Sequence, residues 1–166
     1  MACAENRVIG RERKLPWHLP EDLKYFHDAT AGQICVLGRI CYETWPRANT
    51  EGRRPIVLTS HSLIENRNAG ENAPIVADSL TAALTAAEEL PGEIYICGGE
   101  RIYGETLALA GMRALRLHLT LIHSDVPGDT FFPEWRHLAW QELSRRESAD
   151  SKYRYTFLTL ALPSPR

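Results

Sequence analysis

Short apolar, β-branched runs alternate along this chain with stretches of helical spacing, and that alternation limits its fold more than any other feature. The runs are Ile34 to Leu37, Pro55 to Thr59, Ala73 to Val76, Ile94 to Cys97 and Leu115 to Thr120. Continuous apolar runs of this length suit strands covered on both faces. Between them, Pro20 to Thr30, Arg39 to Trp45, Leu80 to Leu90 and Arg101 to Ala110 have spacing or composition compatible with helices. The order is α/β, with a largely parallel central sheet flanked by helices. The end of the chain differs. Trp140 to Arg146 and Tyr153 to Leu162 are consecutive strand candidates separated by a polar stretch, which predicts an antiparallel hairpin at the sheet edge. Arg47 to Arg54 and Ser62 to Asn72, rich in Asn, Gly and charge, are expected to be surface loops.

With 166 residues, 44% of them hydrophobic, the chain can bury one substantial core without a disulfide or structural metal, so a single domain over residues 1–166 is expected. The net charge of −2 comes from interspersed acids and bases. No broad positive field is offered to a polyphosphate, and nucleic acid is not an expected partner. Cys3, Cys35, Cys41 and Cys97 show no Cys-x-x-Cys spacing and read as reduced residues of a cytoplasmic protein. No stretch approaches the roughly 18–20 apolar residues of a membrane span, and no signal-peptide pattern opens the chain.

The most informative segment runs from Leu15 through Pro16-Trp17-His18-Leu19-Pro20-Glu21-Asp22-Leu23 to Phe26. Pro20 suits the first position of a helix, which places Asp22 in the first turn. An acid there ordinarily does no more than complement the helix dipole. Spacing sets Asp22 apart. At about 100° per residue, Leu19, Leu23, Phe26 and Thr30 share a stripe, Asp22 lies on its border, and Glu21 and Lys24 point elsewhere. A carboxylate beside an apolar wall is partly stripped of water, the setting of a proton donor or of an anchor for an amidine-like ligand.

Two strand-to-helix turns, Leu37-Gly38-Arg39 and Cys97-Gly98-Gly99-Glu100-Arg101, form a second theme. Glycine at a strand end is most often simple turn chemistry. Here each turn also carries an arginine, and backbone N–H groups at such turns can approach a phosphate. The Gly-x-Gly-x-x-Gly dinucleotide fingerprint is absent, so the usual doubly wound nucleotide fold is not required.

Taken in order and spacing, the Leu15 to Leu23 segment, Gly38-Arg39, Ile96-Cys97-Gly98-Gly99 with Tyr103, Leu119-Thr120, and Gly128-Asp129-Thr130-Phe131-Phe132-Pro133 resemble dihydrofolate reductases over essentially the whole chain. The resemblance implies a three-layer α/β fold with a central, mainly parallel eight-stranded sheet, an antiparallel C-terminal strand and four flanking helices. The implied reaction is NADPH-dependent reduction of dihydrofolate to tetrahydrofolate, which feeds one-carbon metabolism and thymidylate synthesis. Antifolates are candidate ligands and a monomer is expected.

The resemblance also implies roles for individual residues. Asp22 matches the acid that binds the pterin and favours its protonation, supported by Thr120, with Trp17 bordering the site. Leu23 and Phe26 match apolar substrate contacts, and Arg53 matches the arginine that clamps the glutamate α-carboxylate. Arg39, Thr59, Ser60 and Arg101 match the set around the adenosine 2′-phosphate. Gly38, Cys41, Cys97, Gly98, Gly99 and Ile102 match the remainder of the cofactor cradle, while Ala2 and Ile9 face the carboxamide through their backbone. Leu15 and Asp129 match the lid, a mobile loop from Ala4 to about Pro20, and the residue that holds it closed.

Several positions depart from the family pattern. The match usually begins several residues earlier, so a backbone carbonyl that receives the pterin amino group falls just before Met1. Cys41 replaces a common threonine, Trp45 is bulkier than the usual aliphatic residue on the substrate wall, and Glu100 follows the glycine pair where small residues are frequent. Among rivals, a pyrimidine reductase on the same fold has no reason to keep Trp17 and Asp22. A non-catalytic NADPH- or folate-binding module would bind without turnover. His118 and His123 are isolated, so no metal site is expected, and no Gly-x-Ser-x-Gly turn offers a hydrolase nucleophile.

Overall fold

The computed structural model describes residues 1–61 and 73–163. The expected loop from Ser62 to Asn72 lies outside the described residues. The chain forms two compact units, Met1–Leu23 with Gly104–Arg166, and Lys24–Tyr103. Its elements in chain order are β1 (Ala2–Ala4), β2 (Val8–Gly10), α1 (Pro20–Thr30), β3 (Ile34–Gly38), α2 (Arg39–Thr44), β4 (Arg54–Leu58) and β5 (Ile75–Ala77), then α3 (Leu80–Glu88), β6 (Ile94–Ile96), α4 (Glu100–Leu107), β7 (Leu115–Ile122), β8 (Thr130–Phe131), β9 (Gln141–Ala149) and β10 (Arg154–Leu162).

The eight strands of the expected sheet are hydrogen-bonded as two four-stranded sheets, one in each unit, and a two-stranded ribbon pairs β2 with β8. In the second unit the order is β5-β4-β3-β6 and every ladder is parallel. Ile34, Cys35, Val36 and Leu37 of β3 are all fully buried, as an interior parallel strand requires. Each side chain of that size contributes roughly 1.5–3 kcal/mol by leaving water. Around Cys35 and Leu37 a core forms with Tyr42, Ala48 and Val57, and Cys41, Trp45 and Cys97 pack against it. All four cysteines are free thiols.

In the first unit the order is β1-β7-β10-β9. β1 runs parallel to β7 with Ala2 opposite Thr120, and β10 runs antiparallel to both β7 and β9. The hairpin read from the sequence is therefore present. β9 is its outer strand and almost wholly exposed. Its mixed charges, including the Arg145–Glu142 ion pair, make it a poor template for another edge.

The helices begin and end where the residues permit. Pro20 opens α1, and Thr30 closes it by donating its hydroxyl back to the Phe26 carbonyl at 2.8 Å. Gly32 follows at φ +72°, a left-handed turn that glycine enters without penalty. Ser79 caps α3 by accepting from the Ala82 N–H, and Leu80, Ala83 and Ala87 form its buried stripe. No helix among the described residues is long and apolar enough to cross a membrane.

Candidate active site

In the first unit, the first turn of α1 presents two adjacent acids with opposite surroundings. Asp22 is buried, only 8% exposed, and Thr120 of β7 is 1% exposed. The Thr120 hydroxyl donates to Asp22 Oδ1 at 2.6 Å, a short charge-assisted bond. Thr120 is held by strand pairing on both sides, since its N–H donates to the Met1 carbonyl at 2.8 Å and its register partner on β10 is Phe157. In the same unit, the Trp17 indole N–H is buried and has no hydrogen-bond partner among the described residues. Such a donor costs stability unless something else accepts from it.

Glu21 turns away from that pair. Its carboxylate accepts from Ser148 Oγ and Arg146 Nη1, both at 2.6 Å, and from the Tyr155 hydroxyl at 2.9 Å. The Ser148 bond first, then Arg146 and Tyr155, hold its pKa down at about 2. This clasp between α1 and the terminal hairpin was not legible in the sequence, because its partners lie more than 120 positions away.

The Gly128-Asp129-Thr130 segment fastens the loop that precedes α1. Asp129 Oδ2 accepts the Glu12 N–H at 2.8 Å, Thr130 Oγ1 donates to Asp129 Oδ1 at 2.8 Å, and the Asp129 N–H reaches the Gly10 carbonyl at 3.1 Å. The Glu12 bond is the largest cause of a lowered Asp129 pKa. Glycine is required at 128: a Cβ there would fall 2.3 Å from Val8 Cγ1 and 2.6 Å from the Gly10 carbonyl oxygen. Leu15 is 53% exposed in that loop.

In the second unit, the two glycine turns meet. The Gly38 N–H donates to the Gly98 carbonyl and the Cys97 N–H to the Val36 carbonyl, each at 2.8 Å. The Gly98–Gly99 peptide is cis and Gly98 has φ +108°. A Cβ on Gly98 would touch Tyr103 Oη at 3.3 Å and Cys41 Sγ at 3.4 Å, and one on Gly99 would touch the same sulfur at 3.4 Å. Cys41 therefore packs beneath the turn, where burial raises its thiol pKa. Ile102 is buried beside Gly38. Arg39 Nη1 pairs with Glu43 at 2.9 Å, and Thr59 and Ser60 bond within their own turn to His61, while Arg101 is exposed at the start of α4.

The remaining predicted residues of this unit converge on Trp45. Its ring lies 4.8 Å from Phe26, and Arg53 Cζ sits 5.2 Å from its centroid. The expectation of a surface loop at 47–54 is corrected here: Ala48, Asn49 and Arg53 are buried, Arg53 completely. The segment is a series of turns in which the Arg47 and Thr50 carbonyls accept from the guanidinium, so part of its polar composition serves one buried cation. Arg47, Glu51 and His27 belong to the same cluster and were not singled out from the sequence.

The sequence profile of the dihydrofolate reductase family matches residues 1–162. The chain belongs to the dihydrofolate reductase family. It is 39% identical to a type 3 dihydrofolate reductase of Salmonella typhimurium, over 96% of this chain and 94% of that one. It is 35% identical to the dihydrofolate reductase of Bacillus subtilis, over 95% of this chain and 89% of the relative. The solved dihydrofolate reductase of Enterococcus faecalis, complexed with NADP(H) and RAB-propyl, superposes with a TM-score of 0.79 at 32% identity, covering 96% of this chain and 91% of that one. The α/β architecture, the four helices and the antiparallel C-terminal strand are those of the dihydrofolate reductase fold.

Proposed function

We infer that this member of the dihydrofolate reductase family reduces 7,8-dihydrofolate to 5,6,7,8-tetrahydrofolate with NADPH, with Asp22 as the group that binds the pterin and favours its protonation. The observation that carries the reading is the buried Asp22–Thr120 pair. A carboxylate fixed by one internal donor keeps acceptor capacity for the amino and ring N–H groups of a pterin, an amidine-like pair. Thr120 holds its orientation. The Trp17 indole N–H is a buried donor awaiting an acceptor, which suits a ligand or an ordered water beside the ring.

The donor set of the second unit fits a dinucleotide phosphate. Glycine at 98 and 99 leaves the turn without side chains above Cys41, so backbone N–H groups can approach a diphosphate there. Gly38, Cys41, Cys97 and Ile102 shape that turn, and Arg39, Thr59, Ser60 and Arg101 supply charge and hydroxyls for a 2′-phosphate. Ala2 and Ile9 offer backbone polar groups to the carboxamide. NADPH supplies the hydride when bound. Leu23, Phe26 and Trp45 give apolar contacts to the substrate rings, Arg53 receives its carboxylate, and Leu15 and Asp129 govern the lid.

The domain is a single reductase domain, monomeric and cytoplasmic, that serves one-carbon metabolism and binds antifolates in its substrate site. Mixing purified protein with NADPH and dihydrofolate tests the reaction by loss of near-ultraviolet absorbance, with NADH and substrate-free controls. Rapid, dihydrofolate-dependent oxidation of NADPH is expected. Binding of NADPH without oxidation would refute the reading in favour of a binding module.

A further inference from the structure

Among the described residues, the Arg53 guanidinium meets backbone and hydroxyl acceptors together with one exposed carboxylate. Nε donates to Thr30 Oγ1 at 2.9 Å, Nη1 to the carbonyls of Arg47 and Thr50 at 3.2 and 3.1 Å, and Nη2 to the His27 carbonyl at 2.8 Å. These four acceptors belong to the end of α1 and the turns after Trp45, and they do not leave without unfolding the local backbone. Nη2 is also ion-paired with Glu51 Oε2 at 2.6 Å. Arg53 is 0% exposed while the Glu51 side chain is 38% exposed.

Glu51 is built into this position. It has φ +57°, a left-handed conformation that costs a residue with a Cβ of order 1 kcal/mol or more and persists only where its surroundings enforce it. Its other oxygen, Oε1, pairs with Arg47 Nη2, and Arg47 Nη1 lies 3.0 Å from His27 Nδ1. The groups facing the Glu51 carboxylate are thus two guanidiniums with the His27 ring behind them. His27 is depressed in pKa first by burial, then by Arg47 and Arg53, with Glu51 opposing.

We propose that Glu51 is an internal competitor for Arg53: its exposed carboxylate is ion-paired with the buried guanidinium, and a ligand carboxylate pairs with Arg53 by displacing it. The proposal rests on the reading of Arg53 as the receptor of the substrate carboxylate and adds what controls its access. The exchange is local, because a displaced Glu51 keeps its Arg47 partner one turn away. Selection between ligands with and without a carboxylate is then set partly by Glu51.

Arg53 itself is a poor probe, since truncating a buried, fully bonded cation endangers the fold. Glu51 is exposed and two substitutions are available: Glu51→Gly relaxes the left-handed backbone, and Glu51→Gln keeps a hydrogen bond to Arg47 without the charge. KM and kcat would be measured with saturating NADPH for dihydrofolate and for dihydropteroate, which lacks the glutamate. In parallel, folate and pteroate would be titrated by tryptophan fluorescence. Removing one partly exposed charged competitor should lower KM for dihydrofolate and Kd for folate about three- to tenfold in both variants. Dihydropteroate and pteroate should move less than about twofold on the same scale. The change should lie in KM rather than kcat.

An unchanged or raised folate Kd in both variants would overturn the proposal, leaving Glu51 as a structural lock. An equal fall for both ligands would also overturn it, because the effect would not pass through the glutamate α-carboxylate, which pteroate lacks while keeping its benzoate carboxylate. Failure of the unaltered protein to turn over dihydrofolate would refute the reductase reading alone, since the folate and pteroate titrations still read Glu51.

Discussion

Asp22→Asn separates the charge of the site from its shape. Asparagine is isosteric, and its Oδ1 still accepts from the Thr120 hydroxyl, so the 2.6 Å contact and the packing at 8% exposure are retained. What disappears is one negative charge in a place where water cannot replace it. A group that promotes proton transfer from such a position is worth about 10²- to 10⁴-fold in rate, or about 3–5 kcal/mol of barrier. Thr120→Val is the companion change. It keeps the carboxylate and removes one hydrogen bond to a charged group, worth about 1.5–3 kcal/mol, so a loss of roughly 10- to 150-fold is expected. Both variants would be assayed by NADPH oxidation near neutral pH, with NADPH affinity and thermal unfolding measured separately. Asp22→Asn should melt at or above the wild-type temperature, because the fold no longer houses a buried charge. Turnover by Asp22→Asn within threefold of wild type would refute the role given to Asp22. A larger loss in Thr120→Val than in Asp22→Asn would show that the hydrogen bond, not the charge, matters.

Glu21→Gln weakens the clasp to Arg146, Ser148 and Tyr155 and should lower stability by about 1 kcal/mol after discounting for solvent screening, or roughly 2–4 °C in Tm. The folded pKa of Glu21 is depressed from 4.5 to about 2, so its stabilisation is present above the unfolded value and is lost as pH falls from about 4.5 toward 2. Urea midpoints across that range should converge for wild type and variant, and a gap that widens with acid would contradict the assignment. Gly128→Ala drives a methyl into buried Val8 and the Gly10 carbonyl, at a cost of about 1–3 kcal/mol or more, read as a lower urea midpoint at unchanged m. Asp129→Ala removes the acceptor of the Glu12 N–H, so hydrogen exchange at Glu12 should accelerate while amides of β7 keep their protection.

The alternation of apolar runs and helical spacing carried most of the architecture. Pro20 and Thr30 bound α1 as read, and the strands of the second unit lie within a residue or two of their runs. β1 lies in none of the apolar runs, and the other elements not read directly from pattern are β2 and β8, three and two residues long, too short to show a period. They exist because their backbones pair with each other across more than 100 positions. Local sequence holds no record of that partner.

Burial of charge was the other quantity hidden from composition. The segment 47–54 has the polarity of a surface loop, yet its Arg53 is completely buried, because carbonyl and hydroxyl acceptors of that segment and of the end of α1, together with one carboxylate, solvate a guanidinium as water would. The adjacent acids Glu21 and Asp22 make the same point in reverse. Turned about 100° apart on one helix, one is neutralised by three donors from the terminal hairpin and the other faces a single threonine. An acid already saturated by internal donors has little left to give a ligand. The acid that meets a single threonine, and the cation paired with an exposed carboxylate, are the two groups to which the proposed function assigns a ligand.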